Sequence, residues 1–368
     1  MKMNAAIFRG VGEPLTVEEV DIALPGPHEV RVKLTSSGLC HTDLEVMHGQ
    51  QLGKVPMILG HEGAGVVELV GEGVTRVKSG DHVVCSWNPN CGHCFYCERG
   101  QPILCEVQAA AAGTGGLLDG TSRLSQGSET ISHYSFVSSH AEYCVVPEQG
   151  AVPIPFEMPL ELACLLGCAV MTGYGGAVRC AQVEPGSSVV VFGCGAVGLN
   201  ALQGARIAGA STIVGVDVSS SKLDLALAAG ATHTVDATSD DPVDYVRALT
   251  DGRGADYAIE AAGNETAIRY ALEASRPGAR IVLLGKTAVG ASITLPFQSL
   301  MGERRIVRTS YGSALPSTDF PRLAELYMGG DLVLDEFVTL RLSLQEINRG
   351  FAEMEDGNVI RAVVIFDG

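Results

Sequence analysis

The chain has 368 residues, of which 46% are hydrophobic and 18% are charged. This length and composition are ordinary for a soluble globular enzyme with two domains, each large enough to bury a core. The formal net charge of −17 argues against nucleic acid and anionic membranes as partners, because both repel an acidic surface. No apolar run reaches the roughly 20 residues of a transmembrane helix.

The N-terminus lacks the apolar segment of a signal peptide, so we expect the protein in the cytoplasm. That compartment is reducing, and disulfides are rare in it. The 11 cysteines are therefore interpreted as metal ligands or buried thiols.

The first third of the chain alternates short apolar runs with glycine and proline turns, which predicts a β-rich domain. Residues 106–140 have the composition of a long loop, and long loops are often functional. A helix is expected to begin at Leu160. The clearest predicted strands in this part of the chain are residues 30–34, 63–70, 81–85 and 141–146.

A thiol and an imidazole, Cys40 and His61, each lie close to a carboxylate, Asp43 and Glu62 respectively. Zinc favours sulfur and nitrogen ligands in a tetrahedral arrangement. Cys168 is the best candidate for a third ligand, and three protein ligands leave the fourth position open, as in catalytic zinc sites. On these residues alone, a buried cysteine and an unrelated histidine are an alternative.

Four cysteines follow with the spacing C-x2-C-x2-C-x7-C. Close spacing lets one loop fold its sulfurs around a single ion, and four protein ligands close the site, so the pattern predicts a structural zinc. An iron–sulfur cluster and four free thiols are the alternatives. The four residues are Cys91, Cys94, Cys97 and Cys105.

From about residue 170, apolar strands alternate with helical stretches, which predicts a parallel βαβ sheet. The strand at 188–192 leads into a G-x-G-x-x-G turn and then a helix, which is the context of a dinucleotide fingerprint. Asp217 ends the next strand, where its carboxylate favours NAD over NADP, and Lys222 is placed to reach the same ribose. A tight turn without ligand is the alternative. The turn consists of Gly193, Cys194, Gly195, Ala196, Val197 and Gly198.

The remainder of the chain continues this pattern and then returns to the first domain. A helix is expected around Asp319, followed by a short strand at 361–366 that rejoins the β-rich part. We therefore expect a catalytic zinc domain of residues 1–169 and 311–368 and an NAD-binding domain of residues 170–310. The other predicted strands of the second domain are residues 212–216, 256–260, 279–285 and 304–311.

Taken together, these motifs resemble the zinc-dependent medium-chain alcohol dehydrogenases over essentially the whole chain. The segment 119–123, Asp-Gly-Thr-Ser-Arg, is similar to the dimeric branch, which includes the liver enzymes and the glutathione-dependent formaldehyde dehydrogenases. The resemblance implies an α/β fold with a β-rich GroES-like catalytic domain and a doubly wound parallel-sheet Rossmann domain. It also implies two zinc ions and NAD per chain, a small alcohol or aldehyde substrate, and a homodimer.

The resemblance assigns roles to single residues. Thr42 corresponds to the hydroxyl that takes the alcohol proton, and Asp43 to the carboxylate that orients the histidine ligand. Glu62 corresponds to a carboxylate that approaches the metal during ligand exchange. The implied catalytic zinc ligands are Cys40, His61 and Cys168. The implied cofactor contacts are His41 and Arg361 at the pyrophosphate and Thr172 at the nicotinamide.

Some positions depart from the family pattern. Family members often carry a histidine at the position of Glu45, at the outer end of the proton relay, and here Glu45, His48 or water has to serve. Glutathione-dependent members carry an arginine at the position of Ala109, and this segment has no cation. Trp87 stands where the family has an aromatic pocket wall. Lys286 falls near a pocket position that is usually apolar.

The expected function is reversible, NAD-dependent oxidation of a primary alcohol, whether aliphatic, allylic or aromatic, to the aldehyde. One alternative keeps this chemistry but uses the glutathione adduct of formaldehyde. The other alternative is a non-catalytic NAD-binding protein, against which the intact zinc ligands argue.

Overall fold

The computed structural model describes residues 1–51, 53–287 and 290–366. The chain forms two compact units. The first unit consists of Met1–Cys168 with Leu315–Gly368, and the second of Ala169–Ala314. The first unit is therefore discontinuous in the sequence, and the second is inserted into it.

The first unit begins as a set of short strands joined by turns and a few short helices. Its strands are β1 (Lys2–Phe8), β2 (Thr16–Ile22), β3 (Glu29–Gly38), β4 (Met57–Ile58), β5 (Glu62–Val70), β6 (His82–Cys85), β7 (Leu124–Gln126), β8 (Glu129–His133), β9 (Tyr143–Pro147) and β10 (Ala151–Pro153). Its helices up to this point are α1 (His41–Met47), α2 (Glu106–Ala111) and α3 (Leu160–Ala163). The β-rich first part predicted from the sequence is confirmed.

The second unit alternates helices with parallel strands. Its strands are β11 (Ser188–Phe192), β12 (Thr212–Asp217), β13 (His233–Asp236), β14 (Ala255–Glu260), β15 (Ser275–Leu283) and β16 (Arg305–Arg308). Its helices are α4 (Ala169–Gly175), which continues as a π-helix over Gly176–Ala181, α5 (Ala196–Ile207), α6 (Ser220–Ala228), α7 (Pro242–Leu249) and α8 (Glu265–Glu273).

The six-stranded sheet of the second unit has the order β13-β12-β11-β14-β15-β16, and each strand pairs parallel to its neighbour. This is the doubly wound order, whose switch point lies beside the first strand. The central strand β11 carries the apolar run 189–192, which is buried, as expected of a strand covered on both faces. The predicted Rossmann domain is therefore confirmed.

The chain then returns to the first unit. The elements of this segment are α9 (Pro316–Met328), β17 (Val338–Leu342), α10 (Ile347–Glu355) and β18 (Arg361–Ile365). Strand β18 pairs parallel to β17 and antiparallel to β3, so the predicted return of the last strand is confirmed.

Strand β3 is the centre of the first unit. It pairs with β5, β9 and β18 in a seven-stranded sheet, and a closed barrel of β1, β2, β7, β8 and β4 completes the unit. The apolar side chains of Val30, Val32 and Leu34 alternate along β3 and are buried in the core. The register pairs Gly38 with Glu62, which brings the end of β3 next to the start of β5.

The prediction of one long loop over residues 106–140 is wrong in part. The alanine-rich segment at its start forms helix α2, because alanine is a strong helix former. Strands β7 and β8 follow in the same segment and pair with β2 and β4, which close the barrel. Their three and five residues are too few to show a period-2 pattern in the sequence.

Within the described residues, no single helix has both the length and the apolar character that a membrane crossing requires. A bent pair of short helical segments, Leu160–Gly167 and Ala169–Ala181, meets those two requirements together.

Candidate active site

The end of strand β3 delivers Cys40 to the N-terminus of helix α1. Cys40 is the residue before the helix and has extended backbone angles. Asp43 is the third helical residue, and its Oδ2 accepts a hydrogen bond from the Cys40 backbone N–H at 3.2 Å. The sequence Cys40-His41-Thr42-Asp43 therefore forms a helix start that fixes the orientation of Cys40.

Asp43 also holds the second ligand segment. Its Oδ1 accepts hydrogen bonds from the Gly60 backbone N–H at 3.2 Å and from the His61 ring Nδ1 at 3.3 Å. The carboxylate is fully buried, so water neither competes with these hydrogen bonds nor screens them. Because Nδ1 of His61 is engaged by Asp43, its Nε2 is the nitrogen left for a metal.

Four ligand atoms converge on one point of the first unit. One ligand atom each from Cys40, His61, Glu62 and Cys168 lies within 4.8 Å of the other three. Two thiols and an imidazole are the donor set that zinc prefers. Glu62 adds a carboxylate whose Oε1 is buried and has no hydrogen-bond partner within the part of the chain that the structure describes. These residues therefore fit a zinc ion.

The two thiols of this cluster shift each other's pKa in opposite directions. A hydrogen bond between the two side chains lowers the pKa of Cys40 well below its usual value and raises the pKa of Cys168 well above it. Burial alone would lower the pKa of His61, but the negative charges of Asp43 and Cys40 outweigh burial and raise it. Zinc binding removes these protons, since metal ligands coordinate in their deprotonated form.

Glu62 is paired with an arginine from the last strand. Burial raises the pKa of Glu62 to about 8, although the Arg361 guanidinium donates a hydrogen bond to its Oε2. Both side chains are buried. A β-carbon at Gly38 would overlap Glu62 Oε2 and lie 2.8 Å from Arg361 Nη2, so this pair requires a glycine at the end of β3. Arg361 thus has a partner that the sequence does not indicate.

The four closely spaced cysteines form a second cluster in one loop. One ligand atom from each of them lies within 4.8 Å of the others. Backbone N–H groups of Cys97 and Glu106 lower the pKa of Cys94 to about 6, which favours its thiolate form. The backbone N–H of Cys91 also donates to the sulfur of Cys105 at 3.3 Å. Four thiols close to one another fit a structural zinc.

The glycine-rich turn of the second unit matches the shape of a dinucleotide site. Gly193 has φ of +92°, and a β-carbon at Gly198 would overlap the carbonyl oxygen of Gly193. A β-carbon at Gly195 would meet no atom within 4 Å, so the backbone is open to an approaching ligand. Gly195 precedes helix α5, whose first backbone N–H groups favour a phosphate. The turn therefore fits the pyrophosphate of NAD.

Asp217 ends strand β12 beside this turn. Its Oδ2 accepts a hydrogen bond from Cys194 N at 2.7 Å, and its Oδ1 accepts from Val218 N and Ser219 N at 2.8 and 3.0 Å. Each carboxylate oxygen has two lone pairs, which leaves acceptor capacity for a ribose hydroxyl. Asp217 thus also stabilises the turn itself, a role the sequence does not predict.

The remaining predicted residues lie on three helices. Thr42 is half-buried and His41 is exposed on α1, Thr172 is half-buried on α4, and Lys222 is half-buried on α6. Within the first unit, Gln51 donates a hydrogen bond to the Glu45 carboxylate.

The structure also shows the surroundings of His48 and Lys286, which were named above where the chain departs from the family pattern. Nε2 of His48 lies 3.5 Å from Glu355, at the protein surface. Lys286 lies three residues after the end of β15 and lines a cleft of about 170 Å³ together with Leu283 and Arg308.

Two matches to known families cover most of the chain. Residues 26–156 match the alcohol dehydrogenase GroES-like domain, and residues 196–328 match the zinc-binding dehydrogenase family. The S-(hydroxymethyl)glutathione dehydrogenase of Synechocystis sp. PCC 6803 is 41% identical over 99% of this chain and 100% of that enzyme. The class-3 alcohol dehydrogenase of Drosophila melanogaster is 41% identical over 98% of this chain and 97% of that enzyme.

Solved structures agree over the whole chain. An alcohol dehydrogenase zinc-binding domain protein from Burkholderia ambifaria superposes with a TM-score of 0.96 at 36% identity, and covers 100% of both chains. The benzyl alcohol dehydrogenase of Acinetobacter calcoaceticus superposes with a TM-score of 0.94 at 31% identity, with the same coverage. The chain therefore belongs to the zinc-dependent medium-chain alcohol dehydrogenase family, is class III-like in sequence, and is an NAD-dependent enzyme with a catalytic and a structural zinc.

Proposed function

We propose that the enzyme oxidises a primary hydroxyl group to an aldehyde at the buried cluster and transfers the hydride to NAD. The observation that carries the proposal is the convergence of Cys40, His61 and Cys168 on one point, since three protein ligands leave a coordination position for a substrate oxygen. When bound, zinc supplies a Lewis acid and NAD supplies the hydride acceptor.

The protein's own part in this reaction is to orient groups and to move one proton. Asp43 fixes the ring of His61, and its hydrogen bond to the Cys40 backbone fixes the first thiolate. Thr42, in the first turn of α1, takes the proton of the substrate hydroxyl. Glu45, His48 or water passes that proton on to solvent. Glu62 acts when ligands of the metal exchange.

The first candidate substrate is S-(hydroxymethyl)glutathione. The relatives that match over nearly the whole chain at 40–41% identity carry the names S-(hydroxymethyl)glutathione dehydrogenase or class-3 alcohol dehydrogenase. These names favour the glutathione adduct over a simple alcohol. The adduct carries carboxylates, which need a cation. Lys54 is exposed, and its side chain runs along Gly115 in the loop that follows α2.

The second candidate is a free primary alcohol, such as a benzylic one. Ala109 is exposed on α2, and the helix segment Glu-Val-Gln-Ala-Ala-Ala contains no cation that could bind a glutathione carboxylate. The structural relative from Acinetobacter calcoaceticus is a benzyl alcohol dehydrogenase. These two observations support a substrate without a peptide carboxylate.

The two candidates separate in one assay of NADH formation. Formaldehyde is offered with and without glutathione, and benzyl, allyl and short aliphatic alcohols are offered without it. Turnover of formaldehyde that depends on glutathione supports the first candidate, and turnover of a free alcohol supports the second. No turnover with any of them contradicts the proposed reaction. Cys168→Ser is the inactive control.

Two substitutions sharpen the choice. If the adduct is the substrate, Lys54→Gln should raise its KM, and Ala109→Arg should lower it by about tenfold or more, since a hydrogen bond to a charged group contributes roughly 1.5–3 kcal/mol. Neither substitution should change kcat/KM for benzyl alcohol. Equal effects on both substrates would show that the two positions do not contact the glutathione part.

We further propose that Asp217 selects NAD over NADP, and we keep His41, Thr172, Lys222 and Arg361 as proposed NAD contacts. A 2′-phosphate near Asp217 would be repelled by about 4 kcal/mol at 4 Å and an effective dielectric of about 20. We therefore expect NAD to be preferred by at least about a hundredfold.

Asp217→Asn is the test of this preference, because asparagine removes the charge and keeps an oxygen for the Cys194 N–H. The ratio of kcat/KM for NAD to that for NADP should fall in Asp217→Asn and stay unchanged in the control Asp251→Asn, an exposed position before the start of β14. Equal use of NADP by the unmodified enzyme would contradict the assignment.

The assembly and location of the enzyme also belong to the proposal. We propose a homodimer, as in the branch that the chain resembles, and a cytoplasmic location, in keeping with cysteines that are all free thiols. Size-exclusion chromatography with light scattering tests the first of these, and fractionation of the source cells tests the second.

A further inference from the structure

A chain of buried polar side chains approaches Oδ2 of Asp43, whereas His61 bonds to Oδ1. Ser37 belongs to strand β3, and Ser139 and His140 precede strand β9. All three are fully buried. None of them is a metal ligand or a proposed substrate contact, yet buried polar groups cost stability unless they are satisfied, so their presence requires an explanation.

Hydrogen bonds connect the three side chains in the order Ser139, Ser37, His140. The Oγ atoms of Ser37 and Ser139 lie 2.7 Å apart, and Ser37 Oγ lies 3.0 Å from His140 Nδ1. The other ring nitrogen, Nε2 of His140, lies 3.9 Å from Asp43 Oδ2 and has no closer hydrogen-bond partner among the described residues. The series of hydrogen bonds therefore ends on His140, whose Nε2 faces the carboxylate that holds both ligand segments from beyond hydrogen-bond distance.

The backbone fixes this arrangement against the ligand segment itself. Ser139 N donates to Gly60 O at 3.0 Å, and His140 N donates to Leu59 O at 3.1 Å. A β-carbon at Gly60 would lie 2.6 Å from His140 Nδ1, so the ring packs closely on the residue that precedes His61. The position of His140 is thus tied to that of the metal-binding histidine.

The protonation of His140 follows from its surroundings. Burial lowers the pKa of His140 to about 4, so the ring is neutral at pH 7 and carries one N–H group. A proton on Nδ1 would leave the lone pair of Nε2 facing the Asp43 carboxylate, which is repulsive. A proton on Nε2 faces the carboxylate with a positive dipole and lets the Ser37 hydroxyl donate to Nδ1.

We propose that His140 is a positioning residue for the catalytic zinc, whose Nε2–H stabilises the charge of Asp43 and holds its carboxylate toward His61. Groups that hydrogen-bond the partners of a metal ligand set its orientation and its basicity. The hydroxyl of Ser37 donates to Nδ1 of His140 and accepts from the hydroxyl of Ser139, which fixes the orientation of the ring. Because this role rests on the proposed function of the buried cluster, its test has to separate the two.

The first variant is His140→Phe, which keeps an aromatic ring of similar size and removes both nitrogens. We expect the catalytic zinc to be lost to a chelator about tenfold faster, the lower end of the range for such groups, while the four-cysteine zinc is retained. The visible spectrum of the enzyme with cobalt in the catalytic site should change, because the orientation of His61 changes. A simple packing role would leave that spectrum as it is.

Three further variants keep the test decisive. Ser37→Ala removes the donor to Nδ1 and the contact with Ser139 but keeps the His140 ring. It should shift the rate of zinc loss and the cobalt spectrum in the same direction by a smaller amount, and it serves as the test if His140→Phe does not fold. His140→Gln offers an N–H again and should restore part of the zinc retention. Asp43→Asn reports on the underlying site.

The outcomes are distinct. If Asp43→Asn weakens zinc binding and His140→Phe and Ser37→Ala leave both the chelation rate and the cobalt spectrum unchanged, the role of His140 is wrong and the proposed function stands. If Asp43→Asn has no effect either, the proposed role of Asp43 in the cluster is wrong as well. Faster zinc loss in His140→Phe with partial restoration in His140→Gln supports the inference.

Discussion

The two cysteine-containing clusters are built in opposite ways. The four-cysteine cluster comes from one loop, and three of its cysteines are only half-buried. The cluster around Cys40 comes from three segments far apart in the sequence, and it is surrounded by buried charged groups such as Asp43 and Arg361. The first cluster depends on local chain geometry, and the second depends on the completed fold.

This difference separates stability from catalysis. Four thiols saturate a zinc ion and bind it as a structural element, so its loss should act on folding. Three strong ligands and a carboxylate held by an arginine leave the second cluster able to exchange a ligand. The substitutions that follow test this difference between the clusters, beginning with the largest expected effect.

Cys168→Ser should abolish turnover while the fold is kept. Loss of the Lewis acid removes several kcal/mol of charge stabilisation, which corresponds to a fall in kcat of about a thousandfold or more. The zinc content should fall from about two to about one per chain, measured by elemental analysis, with little change in Tm. Full activity in a variant that keeps only one zinc would show that the catalytic and structural roles have been assigned to the wrong clusters.

Cys94→Ser should act on stability instead. Metal binding is coupled to folding of the loop, so loss of the ion should lower the free energy of unfolding and with it Tm by several degrees. The kcat of the folded fraction should stay within about twofold, since no reacting group is touched. Calorimetry and initial rates measured on one preparation check both parts, and a selective loss of kcat would contradict the assignment.

A pair of glycine substitutions compares the surroundings of the clusters. Gly38→Ala forces Glu62 and Arg361 apart, and overpacking of this kind costs about 1–3 kcal/mol. It should also lower kcat/KM. Gly92→Ala has open space around its β-carbon and only the strain of φ at +84°, about 1 kcal/mol. Chemical denaturation and activity assays check the pair, and loss of activity in Gly92→Ala alone would contradict the comparison.

A buried histidine of the barrel, outside both clusters, should make stability depend on pH. Burial lowers the pKa of His133 to about 3, so the unfolded chain takes up a proton near pH 6.5 that the folded chain does not. The stability it contributes is present above about pH 6.5 and is lost as pH falls toward about 3. His133→Gln should therefore reduce the loss of stability between pH 7.5 and 5.5 by about 1.4 kcal/mol. The control Gln101→Ala, at an exposed position in the four-cysteine loop and without an ionisable side chain, should leave the pH dependence of stability unchanged.

The sequence predicts best the features that are local. The buried run of β11, the glycine turn and the four cysteines all lie within short segments whose pattern has a direct physical meaning. The ligand set of Cys40, His61 and Cys168 depends on the family resemblance as well as on residue type, and the structure brings their ligand atoms together.

Other features cannot be predicted, because they depend on pairing between distant segments. The partner of Glu62 is Arg361, from the other end of the chain, and no local pattern connects them. His140 lies about a hundred residues from Asp43, and a lone histidine has no sequence signal of its function. Helix α2 was missed for the opposite reason. Its alanines favour a helix locally, but the composition of the whole segment 106–140 predicts a loop.

The place of β18 in the sheet has a consequence for synthesis of the protein. The second unit, Ala169–Ala314, is contiguous and can fold while later residues are still being translated. The first unit cannot finish in this way, because β3 gains the last of its partner strands, and Glu62 its arginine, only after residue 361 has left the ribosome. The inserted second unit can thus be complete before the first unit, whose sheet and Glu62–Arg361 pair wait for the last strand.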